Sequence, residues 1–185
     1  RALTPSPVAR LAADRGIRVF EPEKAKDEGF LEELEALAPD LCITAAYGQF
    51  LPRRFLGIPR LGTLNIHPSL LPLWRGASPV QRSLEAGDEI TGVSVVWTVL
   101  KMDAGPVAAQ VQRRLDGSEK GSDLLEELFE VGTQELLALL PNVWTEDCSP
   151  GTSKVQDDAA ATKADKIQPD EGQVCLAMHS ASTIH

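Results

Sequence analysis

Between Glu28 and Ala46 the hydrophobic period of the chain changes once, and that change confines it to few folds. Phe30, Leu31, Leu34 and Leu37 recur at helical spacing over Glu28–Ala38, Pro39 stops that helix, and Leu41-Cys42-Ile43-Thr44-Ala45-Ala46 follows as a buried strand. Upstream, Ser6-Pro7 reads as a capped helix start that Gly16 closes, with a short strand candidate at Ile17–Phe20. Strand, helix, strand in this rhythm predicts an α/β fold of Rossmann-like type, with a mostly parallel sheet and crossover helices.

The rest of the chain extends this pattern. Gly62–His67 is a further strand, followed by a proline-rich loop as far as Ala77 and a capping box, Ser78-Pro79-Val80-Gln81, that opens a helix to Ala86. A strand over Gly92–Leu100 is joined by the tight turn Lys101-Met102-Asp103-Ala104 to a partner strand over Gly105–Arg113. Ser122–Leu140 is a long amphipathic helix that Pro141 ends. After Trp144 the composition turns to Ser, Thr, Asp, Ala and Lys without apolar periodicity. We therefore divide the chain into a domain over residues 1–144 and a linker over residues 145–185.

Several function classes drop out at this stage. No G-x-G-x-x-G follows any strand, so the Rossmann-like rhythm does not imply a dinucleotide. No apolar run approaches the roughly 20 residues of a membrane-spanning helix. Cys42, Cys148 and Cys175 lack metal-ligand spacing and do not form a disulfide framework, so no metal is expected and a reducing compartment fits. Cys42 reads as a small buried hydrophobe.

Charge is distributed unevenly. The formal net charge is −9, yet no Asp or Glu occurs from Leu41 to Leu84, where Arg53, Arg54, Arg60, Arg75 and Arg82 all fall. Screening confines electrostatic reach to roughly 8 Å in physiological salt, so a local positive field on an acidic protein can attract an anionic ligand. Five ordinary solvated arginines are the alternative reading.

One group of residues carries chemistry. Residues two apart in a strand point to the same side, so Asn65 and His67 project together from the strand end where open α/β sheets place their ligands. Pro68 holds His67 extended. Asp103, in the turn after the long strand, is placed to reach the same crevice. An amide N–H stabilises an oxyanion forming on a carbonyl oxygen, and a histidine beside a carboxylate donates to that oxygen or shuttles an amine's proton. Acyl-type transfer to an amine needs this equipment and no serine or cysteine nucleophile. Three such residues also occur together in purely structural roles, so by themselves they leave both readings open. The remaining histidines, His179 and His185, lie in the tail.

A longer motif decides between them. N-I-H-P-S-L-L-P-L-W-R-G-A-S-P-V-Q-R-S-L-E-A-G-D from Asn65, then T-G-V-S-V and M-D-A-G-P-V, resembles the signature of the 10-formyltetrahydrofolate-dependent formyltransferase family, and the similarity spans nearly all of Leu3–Leu140. The resemblance implies that Asn65 and His67 stabilise the tetrahedral intermediate of amine attack on the formyl carbon, with Asp103 organising proton transfer. It implies a folate pocket formed by Tyr47, Gly48, Leu51 and Pro52, by Ser69, Leu70, Leu71 and Pro72 of the S-L-L-P loop, and by Val99. Leu71–Pro72 is a candidate cis peptide. The folate is a cosubstrate.

W-R-G-A-S-P-V-Q-R-S-L and the earlier P-S-P-V resemble the branch whose acceptor is initiator methionyl-tRNA, used in translation initiation, and the arginine-rich stretch suits its phosphate backbone. The hydrolase and amino-sugar branches, and an inactive fragment, are the alternatives. Q-D-D before the tail resembles organellar versions, so a mitochondrial or plastid protein is expected, with the bacterial cytoplasm as the alternative. The chain opens on Arg1, the one residue that could remain of a basic tRNA-contacting loop, and reads as a monomeric part of a longer protein. By the resemblance it lacks a first β-α unit and a C-terminal β-barrel, and on that account we expect the 185-residue chain alone to be a poor enzyme.

Overall fold

A computed structural model describes residues 4–172. Arg1, Cys175, His179 and His185 lie outside the described residues. Helix α1 (Pro7–Asp14) starts as its cap predicts, with Ser6 Oγ accepting the Ala9 N–H at 3.1 Å. Ile17–Phe20 forms no strand, which corrects the expectation. Its residues dock through side chains instead: Phe20 packs edge-on against Phe30, and the Arg18 guanidinium lies over the Phe20 ring. Helix α2 (Glu28–Leu37) is capped by Asp27, whose Oδ1 accepts the Phe30 N–H, and ends in Ala38 at φ 46° just before Pro39.

Strand β1 (Cys42–Ala45) is the outer strand of a four-stranded sheet. It alternates between half-buried and exposed residues, so the continuous burial expected of it holds for one face only. Cys42 is half-buried, and that burial pushes its thiol up from the ordinary range. A single helical turn that the sequence pattern did not announce, α3 (Arg53–Leu56), lies in the crossover to β2 (Thr63–His67), which pairs parallel with β1. Strand β4 (Ile90–Trp97) pairs antiparallel with β2, and β5 (Val107–Arg114) antiparallel with β4, giving the order β1-β2-β4-β5. The expected α/β class stands, with its parallel pairing at β1–β2.

Two short pieces complete the scaffold before the long helix. Strand β3 (Arg75–Gly76) precedes α4 (Pro79–Glu85). The predicted capping box is absent: Ser78 makes no cap bond, because its Oγ accepts the Ile167 N–H at 3.3 Å from the tail. Helix α5 (Gly121–Trp144) runs through Pro141, which was expected to end it. A proline removes one N–H donor and crowds the preceding turn. Here it sits in the last turn, and Val143, buried at 1% exposure, anchors the helix end beyond it.

Register explains why two faces of β2 do different things. Leu64 pairs with Trp97 and Ile66 with Val95, and these four residues, with Val93, pack against Leu124, Leu128 and Leu136 of α5. Asn65 and His67 stand opposite Val96 and Ser94, on the other face of the sheet. Gly132 lets α5 come close, since a Cβ there would lie 2.6 Å from Ile66 Cγ2 and from Val93 Cγ2. Gly132→Val is therefore expected to lower stability in urea denaturation by about 2 kcal/mol or more through overpacking. Any helix-propensity gain is below about 1 kcal/mol, so an unchanged midpoint would contradict this packing.

The stretch after Trp144 reads as a linker in sequence, yet residues 148–172 lie along the domain. Strand β6 (Lys163–Ala164) pairs parallel with β3, Lys154 bridges to Val107, and Trp97 Nε1 donates to Ser153 Oγ at 2.9 Å. Polar contacts hold this segment, which is why apolar periodicity gave no sign of it. Among the described residues no helix is long and apolar enough to cross a membrane.

Candidate active site

Asn65 is oriented from the neighbouring strand. Thr44 is its register partner, and the Thr44 hydroxyl donates to Asn65 Oδ1 at 2.8 Å. With the carbonyl end engaged, the amide presents Nδ2, a donor with no protein partner among the described residues.

His67 is 4% exposed, and both ring nitrogens face acceptors. Nε2 lies 2.9 Å from the Trp74 carbonyl oxygen, and Nδ1 lies 3.8 Å from Asp103 Oδ2. A carbonyl can only accept, so Nε2 carries the proton, and in the neutral ring Nδ1 is the basic nitrogen. At 3.8 Å the Nδ1–Asp103 separation exceeds a direct hydrogen bond. A group bearing two polar hydrogens, such as an attacking amine, fits within bonding distance of both. The sequence allowed His67 either to donate to an oxyanion or to take a proton; the Trp74 contact aligns it for the second.

Asp103 is brought to His67 as expected, by a turn in which Ala104 N–H donates to Lys101 O at 3.2 Å. Its backbone is left-handed, φ 48°, and Gly76 N–H donates to its Oδ2 at 2.9 Å. Gly76 has no room for a side chain: a Cβ there would lie 2.5 Å from Ala164 O.

These groups open onto a cavity of about 430 Å³ at the end of β2. Tyr47, Gly48, Leu51 and Val99 line it, together with Asn65, His67 and Asp103. Burial pushes the Tyr47 phenol up, so it stays neutral. Phe50 and Met102 add exposed apolar surface at the rim. Pro52 does not line the cavity; it precedes α3.

Ser69, Leu70, Leu71 and Pro72 are absent from its lining as well. Their loop is tied down onto the strands behind it. Ser94 Oγ donates to Ser69 O at 2.6 Å and accepts from Leu71 N–H at 3.1 Å, while Gln110 Nε2 donates to Leu71 O at 2.7 Å. Leu71–Pro72 is cis, as the motif suggested. The loop's fixed shape places Trp74, whose carbonyl meets His67, in a left-handed conformation at φ 61°.

The positive field read from the acid-free stretch is largely neutralised. Arg54 pairs with Glu28 and Glu35, Arg60 with Asp40 and Glu146, Arg75 with Asp158, and Arg82 with Glu85 and Glu171. Apart from Glu85, three residues after Arg82 on α4, the carboxylates come from other segments, so spacing along the chain could not reveal most of the pairing. Hydrogen bonds from Lys101 and Arg75 hold Asp158 below the usual carboxylate range, and Arg82 does the same for Glu171.

An amide, an imidazole and a carboxylate are thus gathered at one cavity of an α/β domain. The chain belongs to the formyl transferase family, whose profile matches residues 1–140. It is 40% identical over 171 residues to the methionyl-tRNA formyltransferase of Nitrosococcus oceani, covering 92% of this chain and 52% of that protein. With the methionyl-tRNA formyltransferase of Thermobifida fusca it shares 40% over 174 residues, 94% of this chain and 55% of that one. The chain thus spans about half the length of the curated relatives it matches. The crystal structure of HypX from Aquifex aeolicus in complex with tetrahydrofolic acid superposes with a TM-score of 0.74 at 20% identity, over 93% of this chain and 29% of that one, a likeness of fold. These curated relatives are bacterial and give no support to the expected mitochondrial or plastid location.

Proposed function

We propose that this protein transfers a formyl group from 10-formyltetrahydrofolate to the methionine amino group of initiator methionyl-tRNA, in the bacterial cytoplasm. The observation that carries the reading is the convergence of the Asn65 amide, the His67 imidazole and the Asp103 carboxylate on one cavity. That cavity suits a flat heterocycle: its walls mix apolar side chains (Leu51, Val99, Phe50, Met102) with polar groups that include Asn65, His67 and Asp103. The folate supplies the formyl group; the remaining chemistry belongs to the chain.

Each residue then has one task. Asn65 Nδ2 meets the negative charge that grows on the formyl oxygen as the amine attacks. His67 Nδ1 receives the proton the amine must lose and gives it to the folate nitrogen as that nitrogen's bond to the formyl carbon breaks, and Asp103 stabilises the imidazolium between the two steps. The Trp74 carbonyl keeps the ring in the tautomer that leaves Nδ1 basic. On the same footing we propose residues 1–144 as the catalytic unit and residues 145–185 as the lead to a further tRNA-holding domain, with the folate and the tRNA binding one protein copy.

The same three groups would serve attack by water or by an amino sugar, so the acceptor is what an experiment must fix. Donor consumption by the full-length protein is measured with methionyl-tRNA, with an amino-sugar nucleotide, and with neither. Consumption that depends on methionyl-tRNA is expected. Equal formate release without any acceptor would make the protein a hydrolase, and turnover only with the sugar would reassign the acceptor.

A further inference from the structure

The segment after α5 forms a strap that bonds to the backbone of the residues on both flanks of His67. On one flank Thr162 Oγ1 accepts the Trp74 N–H at 2.8 Å, and Trp74 O is the acceptor for His67 Nε2. On the other, Gln156 Nε2 donates to Asp103 O at 2.8 Å and to Gly105 O at 2.7 Å. The same amide accepts through Oε1 from Arg75, at 3.0 Å from Nε and 2.7 Å from Nη2. Arg75 is followed by Gly76, whose N–H holds the Asp103 carboxylate. One side-chain amide therefore closes a ring from the strap through Arg75 and Gly76 to Asp103, and back through the turn carbonyls.

The turn needs such support. A non-glycine residue at φ 48° lies in the sparsely populated left-handed region, which even aspartate adopts only locally, and it is held best where its surroundings over-determine it. Gly105 fixes the turn on its far side, since a Cβ there would lie 1.7 Å from Trp97 O. On the near side the fixing group is Gln156, whose amide gives two N–H donors to the turn and an acceptor to a guanidinium at once. A strap anchor alone would need only the contact to Arg75.

We propose that Gln156 is a positioning residue for the reaction: by holding the 103–105 turn through its N–H₂ group it sets the Asp103 carboxylate against His67. The inference rests on the formyl-transfer reading of the site. It makes the strap a part of the active site's geometry.

Gln156→Glu separates this from simple anchoring. The carboxylate keeps the acceptor for Arg75 but loses both donors and sets a negative oxygen against two carbonyls. In the full-length protein Q156E is expected to lower kcat at least about tenfold, as a displaced catalytic group does, and to change the pH dependence of kcat. KM for both substrates should stay within about twofold, and the melting temperature near that of the wild type. Gln156→Asn, which keeps the amide one methylene short, should lose less, and it supplies the same readout if Q156E does not fold. Wild-type kcat and pH profile in Q156E would overturn the proposal, as would a lowered melting temperature with unchanged kcat. Absence of transfer by the wild type would instead sink the formyl-transfer reading. The ¹⁵N shifts of the His67 ring then decide the positioning role: altered in Q156E they support it, unaltered they refute it.

Discussion

His67→Ala is expected to lower kcat for formyl transfer on the order of 10³-fold, within the range removed with a general acid or base, while the Kd for the formyl donor changes by less than about threefold. The asymmetry comes from where the ring sits. Its Nε2 is spent on the Trp74 carbonyl, so what the site loses is Nδ1, the one basic nitrogen beside the Asp103 carboxylate. The donor's ring system rests against Tyr47, Leu51 and Val99 in the proposed mode, none of which the substitution touches. His67 is also buried, so thermal melting of the variant must accompany the kinetics. Loss of kcat in a folded, donor-binding protein supports catalysis. An inability to fold with no separate effect on turnover would assign His67 a structural role.

The second large effect is expected at Asn65. Removing one preorganised donor to a developing oxyanion costs roughly 10²–10³ in kcat, and Asn65→Ala should fall in that range in single-turnover transfer. Asn65→Asp is the more telling change, because it keeps the shape and replaces the N–H₂ group with an oxygen. The Thr44 hydroxyl can still donate to the nearer carboxylate oxygen, so the side chain remains aimed at the cavity. The other oxygen then repels the charge that Asn65 stabilised, and N65D should be at least as slow as N65A. Near-normal turnover by N65D would mean that the amide is not the oxyanion donor.

What could be read from the sequence, and what could not, divides along a physical line. Strand period placed Asn65 and His67 on one face, because side-chain alternation is a local property. The helix start at Ser6 and the paired strands around Asp103 were legible for the same reason. What escaped was set by partners distant in the chain. Gln156 lies in a polar stretch without periodicity, Thr44 acts only through register with Asn65, and Trp74 contributes a backbone carbonyl that no side-chain pattern announces. The expected stop at Pro141 failed because burial of Val143 overrode a local rule. The Ser78 cap failed because the tail claimed its hydroxyl. The S-L-L-P motif was legible as a motif, yet Ser69 and Leu71 are held by Ser94 behind the cavity wall and do not line it.

The arginines show the same division. Their clustering between Arg53 and Arg82 is plain in the chain, but most of the acidic groups that neutralise four of the five come from elsewhere: Glu28 and Glu35 of α2, Asp40 after it, Glu146 after α5, and Asp158 and Glu171 of the strap. The exposed pairs among them, such as Arg60–Asp40, contribute little stability each, and the consequence all of them share is a weaker field for an approaching phosphate backbone. A charge run records where the basic residues are and leaves open what they face.

If Asn65, His67 and Asp103 act as one unit on one reacting group, a double-mutant cycle in single-turnover formyl transfer to methionyl-tRNA shows it. Residues that serve the same transition state lose their effects non-additively. N65A/H67A is expected to be slower than the worse single variant by no more than about tenfold. Losses that multiply in full, or single variants that transfer formyl at the wild-type rate, would contradict it.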